Sequence, residues 1–415
     1  LFGEGGSDFL YGEGEDDLLD AGSGLSDFLA FGAGEGGVPG DFAPPTATPA
    51  PAVQGAVDAI PVLSDLPDGE IYGAWWQEFG GSASPGGLGG GEGIARDPVV
   101  VANGAGEVFV AWSDSRFGNF EIYVATYSTL SGWAQLGGSA EGGGVSDTTA
   151  SSLRPAIALD GSGNPVVAWT EATGGSDVHA VRWDPTADSG AGAWVAMGTS
   201  TNAGGLSGTG AADDAQVVVV GGQATVAWVD SSGAADNVYL RRFDGANWAE
   251  LAGSATTTGI SGSVTDVDDL ALATNGSDIA VSWVVVDSGV WQVRLSEYAG
   301  VGWNGLAGSD VGGGVSGTSA DSRSPSVAYH GGDLYVAWQE DVFFGLTEIY
   351  AEVFSVGAWS AAGLGANTGG GVSGSGGYAA SPALAANGGG LHLLWVEDTV
   401  QSRTGEDLAL YARAW

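Results

Sequence analysis

Cysteine is absent from this 415-residue chain, and so is lysine: all ten basic residues are arginine, against 50 Asp and Glu residues. Without cysteine there is no disulfide, no thiolate metal site and no cysteine nucleophile. Ten scattered arginines in a chain of net charge −40 cannot form the positive face that a nucleic-acid partner requires. The sequence also lacks an apolar run of about 18 residues, so no membrane-spanning helix is expected.

The surplus of acid describes the surroundings of the protein more than its chemistry. Uncompensated carboxylates repel one another, and this repulsion weakens in salt or when divalent cations bind. A lysine-free, acid-rich chain therefore fits a salty or calcium-containing medium. It equally fits an exported protein that acidity keeps soluble, and the composition leaves both readings open.

The first thirty residues contain three nine-residue units, Gly3–Tyr11, Gly12–Asp20 and Gly22–Ala30. Each unit has Gly at its first and third positions, an Asp at its sixth and a Leu at its eighth. Leu1-Phe2 matches the last two positions of an earlier unit. We therefore expect further repeats upstream of Leu1 in the intact protein.

This segment resembles the RTX nonapeptide repeat, which forms a parallel β-roll around Ca²⁺. The resemblance implies a calcium site, because glycine turns direct carbonyls at the cation and one Asp per turn adds a carboxylate. The alternative is a degenerate Gly- and Asp-rich remnant that binds no metal. The predicted ligands are Asp8, Asp17 and Asp27 with the turn glycines Gly3, Gly5, Gly12 and Gly14.

The composition predicts three parts: an RTX-like segment over residues 1–37, a Pro- and Ala-rich linker over 38–70, and a body over 71–415. The linker contains a Pro-rich stretch over residues 43–52 that favours an extended spacer, because proline fixes φ and removes a backbone donor.

The body repeats about every 56 residues, and two tryptophan series mark the repeat. Residues of the first series end short runs of strand formers, and residues of the second open a W-x-x-L-G strand. In five repeats an acid stands two residues after the first-series tryptophan. It is either a turn cap or part of a rim that holds cations. The first series is Trp112, Trp169, Trp228, Trp283, Trp338 and Trp395, and the second is Trp76, Trp133, Trp194, Trp248, Trp303 and Trp359.

Four short strands in each of six repeats predict an all-β fold, a six-bladed β-propeller. The sixth repeat ends without a W-x-x-L-G strand, and the missing strand is present at the front as residues 76–82. We expect the N-terminal strand to complete the last blade and close the ring, which removes exposed sheet edges. Repetition in every blade favours packing over glycan stacking as the role of the two tryptophan series.

Candidate ligand-binding residues are those that do not repeat. Arg96, Arg154 and Arg323 precede the inner strands of blades 1, 2 and 5, where three guanidinium groups on one rim would clamp a carboxylate. This arrangement resembles the arginine cluster of sialidases, but the S-x-D-x-G-x-x-W boxes of that superfamily are absent. The arginines would equally pair with nearby acids. Trp183 and Trp291 lie outside both tryptophan series and complete the candidate binding face.

Acidic clusters occur in the loops between blades, at Asp213-Asp214 and at Asp266, Asp268 and Asp269, with the same choice between turn capping and cation binding. No catalytic residues are assigned from the sequence, and the expectation is that the chain is not an enzyme. The residue pattern of the repeats resembles that of the Trp-rich, loosely sialidase-like propellers of large exported bacterial proteins. The resemblance implies an extracellular location.

The function expected from the sequence is therefore a secreted or cell-surface bacterial structural or interaction protein. Its role would be in a surface layer, a filament or an adhesin. It would self-associate or bind other surface proteins or glycans, and it would have no nucleic-acid partner and no transmembrane segment. The alternative is a glycan-binding lectin or a sialidase-like glycoside hydrolase.

Overall fold

The computed structural model describes residues 9–12, 28–31, 82, 87–90, 93–343, 346–387, 389–398 and 408–414. The chain divides into two compact units, Leu1–Ala56 and Val57–Trp415. Among the described residues, no helix is both long and apolar enough to cross a membrane.

Two strands of the first unit, β1 (Phe9–Gly12) and β2 (Phe28–Phe31), pair in parallel. Phe9 pairs with Phe28, and this offset of 19 residues equals two nonapeptide units plus the inserted Ala21. Among the predicted calcium ligands, Gly12 is the last residue of β1. The others, Asp8, Asp17, Asp27, Gly3, Gly5 and Gly14, lie outside the described residues.

The second unit contains six antiparallel sheets in sequence order, which confirms the predicted all-β, six-bladed propeller. In each sheet the first strand is innermost, and the inner strands of successive blades pack against one another from the first blade to the sixth.

The blades comprise β3 (Ala95–Ala102), β4 (Val108–Asp114), β5 (Glu121–Ser128), β6 (Gly132–Ala134); β7 (Ser151–Leu159), β8 (Pro165–Ala172), β9 (Ser176–Asp184), β10 (Ala193–Ala196); β11 (Ala212–Val220), β12 (Gln223–Asp230), β13 (Asn237–Phe243), β14 (Trp248–Ala249); β15 (Val267–Thr274), β16 (Ile279–Asp287), β17 (Val290–Tyr298), β18 (Trp303–Asn304); β19 (Ser322–His330), β20 (Asp333–Phe343), β21 (Leu346–Ser355), β22 (Ala358–Ala361); and β23 (Ala379–Asn387), β24 (Gly390–Asp398), β25 (Leu408–Ala414). Among the described residues, one short helical turn, α1 (Ala187–Gly190), lies in blade 2, and a 3₁₀ turn spans Leu306–Gly308 in blade 4.

The sixth sheet has three strands among the described residues. The strand predicted to complete it begins at Trp76, and residues 76–81 lie outside the described ranges. Closure of the ring by the N-terminal strand therefore stays a prediction.

The first tryptophan series forms the centre of each blade, where each ring is at most 4% exposed. In five blades the ring stacks on the residue opposite it on the third strand, with centroids 5.8–6.2 Å apart. That residue is tyrosine in four blades and His179 in blade 2. Burial of a large ring in every blade shows that this series packs the core, as repetition predicted.

The acid two residues after each of these tryptophans accepts its indole N–H, at 2.8–3.4 Å. Blade 4 is the exception. Its residue at this position is Val285, and the buried Nε1 of Trp283 has no hydrogen-bond partner among the described residues. These acids are therefore mainly internal acceptors rather than a solvent-exposed rim for cations, because an unpaired buried donor is costly.

The second tryptophan series links neighbouring blades. The indole N–H of Trp194 donates to the carbonyl of Leu136 in the preceding blade at 2.8 Å. The same hydrogen bond, 2.7–2.8 Å long, recurs at the next three junctions. These rings therefore hold adjacent blades together by one hydrogen bond each, as a repeated packing role predicts.

The Gly-rich passage that follows each W-x-x-L-G strand folds back onto the third strand of its own blade. In blade 1 the N–H of Val145 donates to the carbonyl of Ile122 at 2.8 Å, and the N–H of Ile122 donates to the hydroxyl of Ser146 at 2.9 Å. The carboxylate of Glu121 accepts the N–H of Thr148 at 3.1 Å. These contacts fix the route of the chain into the next inner strand, and thus fix where that strand begins.

Candidate functional site

The six inner strands share one irregularity near their first residues. A β-bulge interrupts the pairing of the inner strand with the second strand in every blade. At each bulge one non-glycine residue has a left-handed backbone, with φ between 49° and 55°. We call these six residues the mouth ring, because they lie at one end of the central channel that the inner strands surround. They are Asp97, Arg154, Asp214, Asp269, Ser324 and Ser381.

The mouth ring repeats in backbone but not in chemistry. Bulges and strained backbone are common beside active sites, but here all six blades have them, so the geometry belongs to the fold. The side chains differ, with charged groups in blades 1 to 4 and serine in blades 5 and 6. A position that packing required would keep one residue type, as the tryptophans do. The variation marks the mouth ring as a place where the sequence selects chemistry.

Two neighbouring ring residues, Asp214 and Asp269, are half-buried and reach to the next inner strand. The carboxylate of Asp214 accepts the N–H of Leu270 at 2.9 Å, and that of Asp269 accepts the N–H of Ser324 at 2.9 Å. Burial raises the pKa of both carboxyl groups above the usual range for aspartate. Burial disfavours the charged form, so both groups are suited to hold or exchange a proton nearer neutral pH.

The predicted arginines all lie at this end of the propeller, but each has a different partner. Arg154 forms an ion pair with Asp213 at 2.8 Å. Arg96 lies over the ring of Phe120 with its guanidinium carbon 4.3 Å from the centroid. Because these guanidinium groups have separate contacts, the structure does not bring them together as one carboxylate clamp.

Arg323 and Trp291, both predicted from the sequence, are brought into contact. The guanidinium carbon of Arg323 lies 4.3 Å from the centre of the Trp291 ring, and its Nη2 is 3.6 Å from Asp321. The backbone N–H of Trp291 donates to the carboxylate of the same Asp321 at 2.9 Å. Stacking on a half-exposed ring holds the arginine beside the mouth ring, next to Asp269.

Trp183 lies away from the mouth ring, on β9, and its side chain packs against Trp194. It is 9% exposed and meets Trp194 edge-on at 5.8 Å across β9 and β10. In four other blades Tyr127, Phe243, Tyr298 and Phe354 take this position against the second-series tryptophan. Trp183 therefore belongs to a repeated aromatic pair that the tryptophan spacing alone does not reveal.

The sequence singled out the acids of the mouth ring only as loop clusters of unassigned role. One signal would have found the ring, because each member stands 14 or 15 residues before the first-series tryptophan of its blade. In the part of the chain that the structure describes, no group of three His, Asp or Glu side chains is arranged to hold a metal ion.

No protein-family model matches the chain, and no curated protein matches it in sequence. Solved structures do match. A Dyadobacter fermentans protein of unknown function has a TM-score of 0.46 at 11% identity over 78% of this chain and 94% of that one. The Penicillium chrysogenum α-L-arabinanase complexed with arabinobiose has a TM-score of 0.42 at 13% identity over 77% and 93%. The Trypanosoma rangeli sialidase in complex with the inhibitor DANA has a TM-score of 0.43 at 10% identity.

The match to the sialidase covers 78% of this chain but only 55% of the sialidase. At such low identity, these similarities show the propeller fold alone. They do correct one expectation from the sequence. The expectation that the chain is not an enzyme is wrong: the solved structures similar to it include a sialidase, an arabinanase and an arabinofuranosidase.

Proposed function

We propose that the chain is a carbohydrate-active protein that binds a glycan at the mouth ring and hydrolyses a glycosidic bond there. The observation that supports this most is the pair of carboxyl groups, Asp214 and Asp269, at equivalent positions of adjacent blades. Glycoside hydrolysis needs two carboxyl groups on the scissile bond, one protonated and one ionised. Burial that raises a carboxyl pKa is how one group retains its proton near neutral pH.

The surroundings divide the two roles. Burial is the main influence on the pKa of both groups, and Asp214 lies deeper in the protein than Asp269. Arg154, which lowers the pKa of Asp214, is shared with Asp213 at 2.8 Å. Asp214 is therefore the proton donor to the leaving oxygen. Asp269 faces Arg323, whose charge favours ionisation and partly offsets the effect of burial. Asp269 is therefore the second carboxylate, which acts as base or nucleophile.

Aromatic and serine groups complete the proposed site. Trp291, half-exposed with Arg323 stacked on its ring, supplies apolar surface for a sugar ring, and the arginine supplies hydrogen-bond donors beside it. The hydroxyls of Ser324 and Ser381 occupy the ring positions of blades 5 and 6, where they offer donors and acceptors to sugar hydroxyls.

Asp214→Asn and Asp269→Asn are each expected to lower kcat by about 10²–10⁴-fold, the usual contribution of a general acid or base. Both amides can still accept the backbone N–H that the carboxylate accepts, so the variants should have the melting temperature of the wild type. The measurement is release of 4-methylumbelliferone from a panel of glycosides that includes α-L-arabinofuranosides and α-sialosides.

Glu250→Gln is the matched control, because Glu250 is exposed directly after the outer strand of blade 3 and should leave turnover unchanged. Wild-type protein that cleaves no glycoside of the panel would contradict the proposal. Full turnover by Asp214→Asn would contradict the assignment of Asp214.

A second candidate function concerns the first unit and is compatible with the first proposal. We propose that residues 1–37 form a calcium-binding roll of the RTX type and that the protein works outside the cell. The parallel pairing of β1 with β2 at an offset of 19 residues supports a roll with two nonapeptides per turn. The net charge of −40 suits the same calcium-containing medium.

We expect the full chain to bind calcium and to gain β-structure by circular dichroism on its addition. The triple variant Asp8→Asn, Asp17→Asn, Asp27→Asn should lose that change, because three of the proposed carboxylate ligands are removed. Comparison of the two proteins separates this segment from any calcium bound by propeller acids. Identical spectra with calcium and with EDTA would exclude the roll.

A further inference from the structure

A groove runs along blade 2 to its junction with blade 3, at the end of the propeller opposite the mouth ring. It comprises two adjoining cavities of about 380 Å³ and 190 Å³ that share Asp160 and Arg182 in their walls. Asp160 follows the inner strand β7. Asp184 is the last residue of the third strand β9, and Asp244 follows the third strand β13. The larger cavity alone reaches the lower part of the range of about 300–1,000 Å³ typical of small-ligand sites.

Blade 2 differs from the other blades beside this groove. Its third and fourth strands are joined by residues 185–192, whereas the other described blades use a connection of two to four residues. Within this longer connection Asp188 and Ser189 have left-handed backbones, with φ of 45° and 58°. Pro185 and Thr186, at its start, form part of the wall of the larger cavity. An insertion in one of six otherwise repeated units is where a repeat fold commonly acquires binding.

The walls of the groove combine an apolar floor with polar groups at the rim. Met197 and Phe243 contribute the floor of the smaller cavity, and Trp183 lines the larger one. Gln223 contributes an amide group to the smaller cavity and Asn164 to the larger. Arg182 is half-exposed, and its ion pair to Asp184 is long, at 3.6 Å, which leaves most of its five N–H donors available.

The charges select the class of ligand. Three carboxylates, those of Asp160, Asp184 and Asp244, line the two cavities together with the single guanidinium of Arg182, so an anion is disfavoured. A metal ion is also disfavoured, because an oxygen of each carboxylate already accepts the backbone N–H of its own turn. Hydrogen bonds from the hydroxyl and the N–H of Thr186 hold the pKa of Asp184 below its usual value. The backbone N–H groups of Asn247 and Ala246 lower the pKa of Asp244 in the same way, so both groups remain ionised acceptors.

We propose that this groove is a second binding site, for a neutral mono- or disaccharide. Sugar hydroxyls both donate and accept, which matches a rim that alternates carboxylates with guanidinium, amide and hydroxyl groups. The apolar C–H face of a sugar ring fits the floor of Met197 and Phe243. The site is distinct from the mouth ring and does not depend on catalysis there.

The test is calorimetric titration of the full chain with neutral sugars: D-glucose, D-galactose, L-arabinose, D-xylose and their disaccharides. We expect one binding event per chain that Arg182→Ala weakens at least tenfold, with Asn164→Ala weakening it less. Arg413→Ala, an exposed arginine of the third strand of blade 6, is the control and should change nothing. Both arginines are exposed, so the variants should keep the wild-type melting temperature.

Asp214→Asn in the mouth ring should retain this binding event, which separates the groove from the proposed catalytic site. The proposal is overturned if no neutral sugar binds, if binding survives Arg182→Ala, or if calcium alone gives a signal that depends on Arg182 and its carboxylates. It is also overturned if Asp214→Asn abolishes the event while Arg182→Ala does not.

Discussion

Gly144→Ala is expected to destabilise the propeller by about 2–5 kcal/mol, because two separate costs fall on one residue. Gly144 has φ of +65°, and a left-handed backbone costs an L-residue about 1–2 kcal/mol. A Cβ at this position would also overlap the carbonyl oxygen of Ile122, to which Val145 donates. Such an overlap in a packed region typically adds about 1–3 kcal/mol. Chemical denaturation followed by tryptophan fluorescence would measure the loss.

Gly142→Ala is the matched control from the same loop. Gly142 also has positive φ, at +53°, but a Cβ there meets nothing within 4 Å. Only the backbone cost of about 1–2 kcal/mol should appear. Equal losses from the two variants would show that the contact with Ile122 is unimportant. Gly371→Ala in blade 5 should destabilise the protein as much as Gly144→Ala, because a Cβ there would overlap the carbonyl of Ile349.

The unfolding temperature is expected to fall as pH rises from 5 to 8. Glu121 and Glu340 are each 3% exposed, and burial raises the pKa of both. Between the ordinary glutamate pKa near 4.3 and the raised native value, the native state binds more protons than the unfolded state. Stability is therefore greatest below this interval and is lost as pH rises through it. Repulsion within a chain of charge −40 acts in the same direction.

Glu340→Gln isolates one of these groups. The glutamine oxygen can still accept the indole N–H of Trp338 and the hydroxyl of Ser322, which lie 2.9 Å and 2.6 Å from the Glu340 carboxylate. We expect the variant to be more stable than the wild type at pH 8, and the gain to be smaller at pH 5, because the substitution removes a charge whose burial is unfavourable. The measurement is thermal unfolding at constant ionic strength, with Glu250→Gln as the exposed control. An unfolding temperature that rises between pH 5 and pH 8 would contradict the assignment.

Positions that keep one residue type in successive blades have packing roles, whereas the positions that vary lie at the candidate site. Trp194 and its counterparts repeat because each junction needs the same hydrogen bond to the blade before it. The mouth ring repeats only in backbone, and its side chains change from Asp to Arg to Ser. The exception in the core, Val285 beside Trp283, shows that the fold tolerates one unpaired indole N–H among the described blades.

The amino-acid sequence by itself determined the fold class and the number of blades. Buried tryptophans at intervals of 55 to 59 residues and strand formers before them are local signals. Each blade is formed by the residues of its own repeat. The packing role of both tryptophan series followed from the same regularity. The RTX-like segment also has a readable repeat, although its calcium ligands stay a prediction.

Only the tertiary structure decided what lies at the mouth of the channel. Asp214 and Asp269 are 55 residues apart in the chain, and their equivalence depends on a bulge in strands from different blades. The separate partners of Arg96, Arg154 and Arg323, which replaced the expected clamp, depend on contacts that no local pattern encodes. A periodic sequence specifies the unit that repeats, whereas a site is formed where units meet, and the side chains that meet there are neighbours only after the blades have packed.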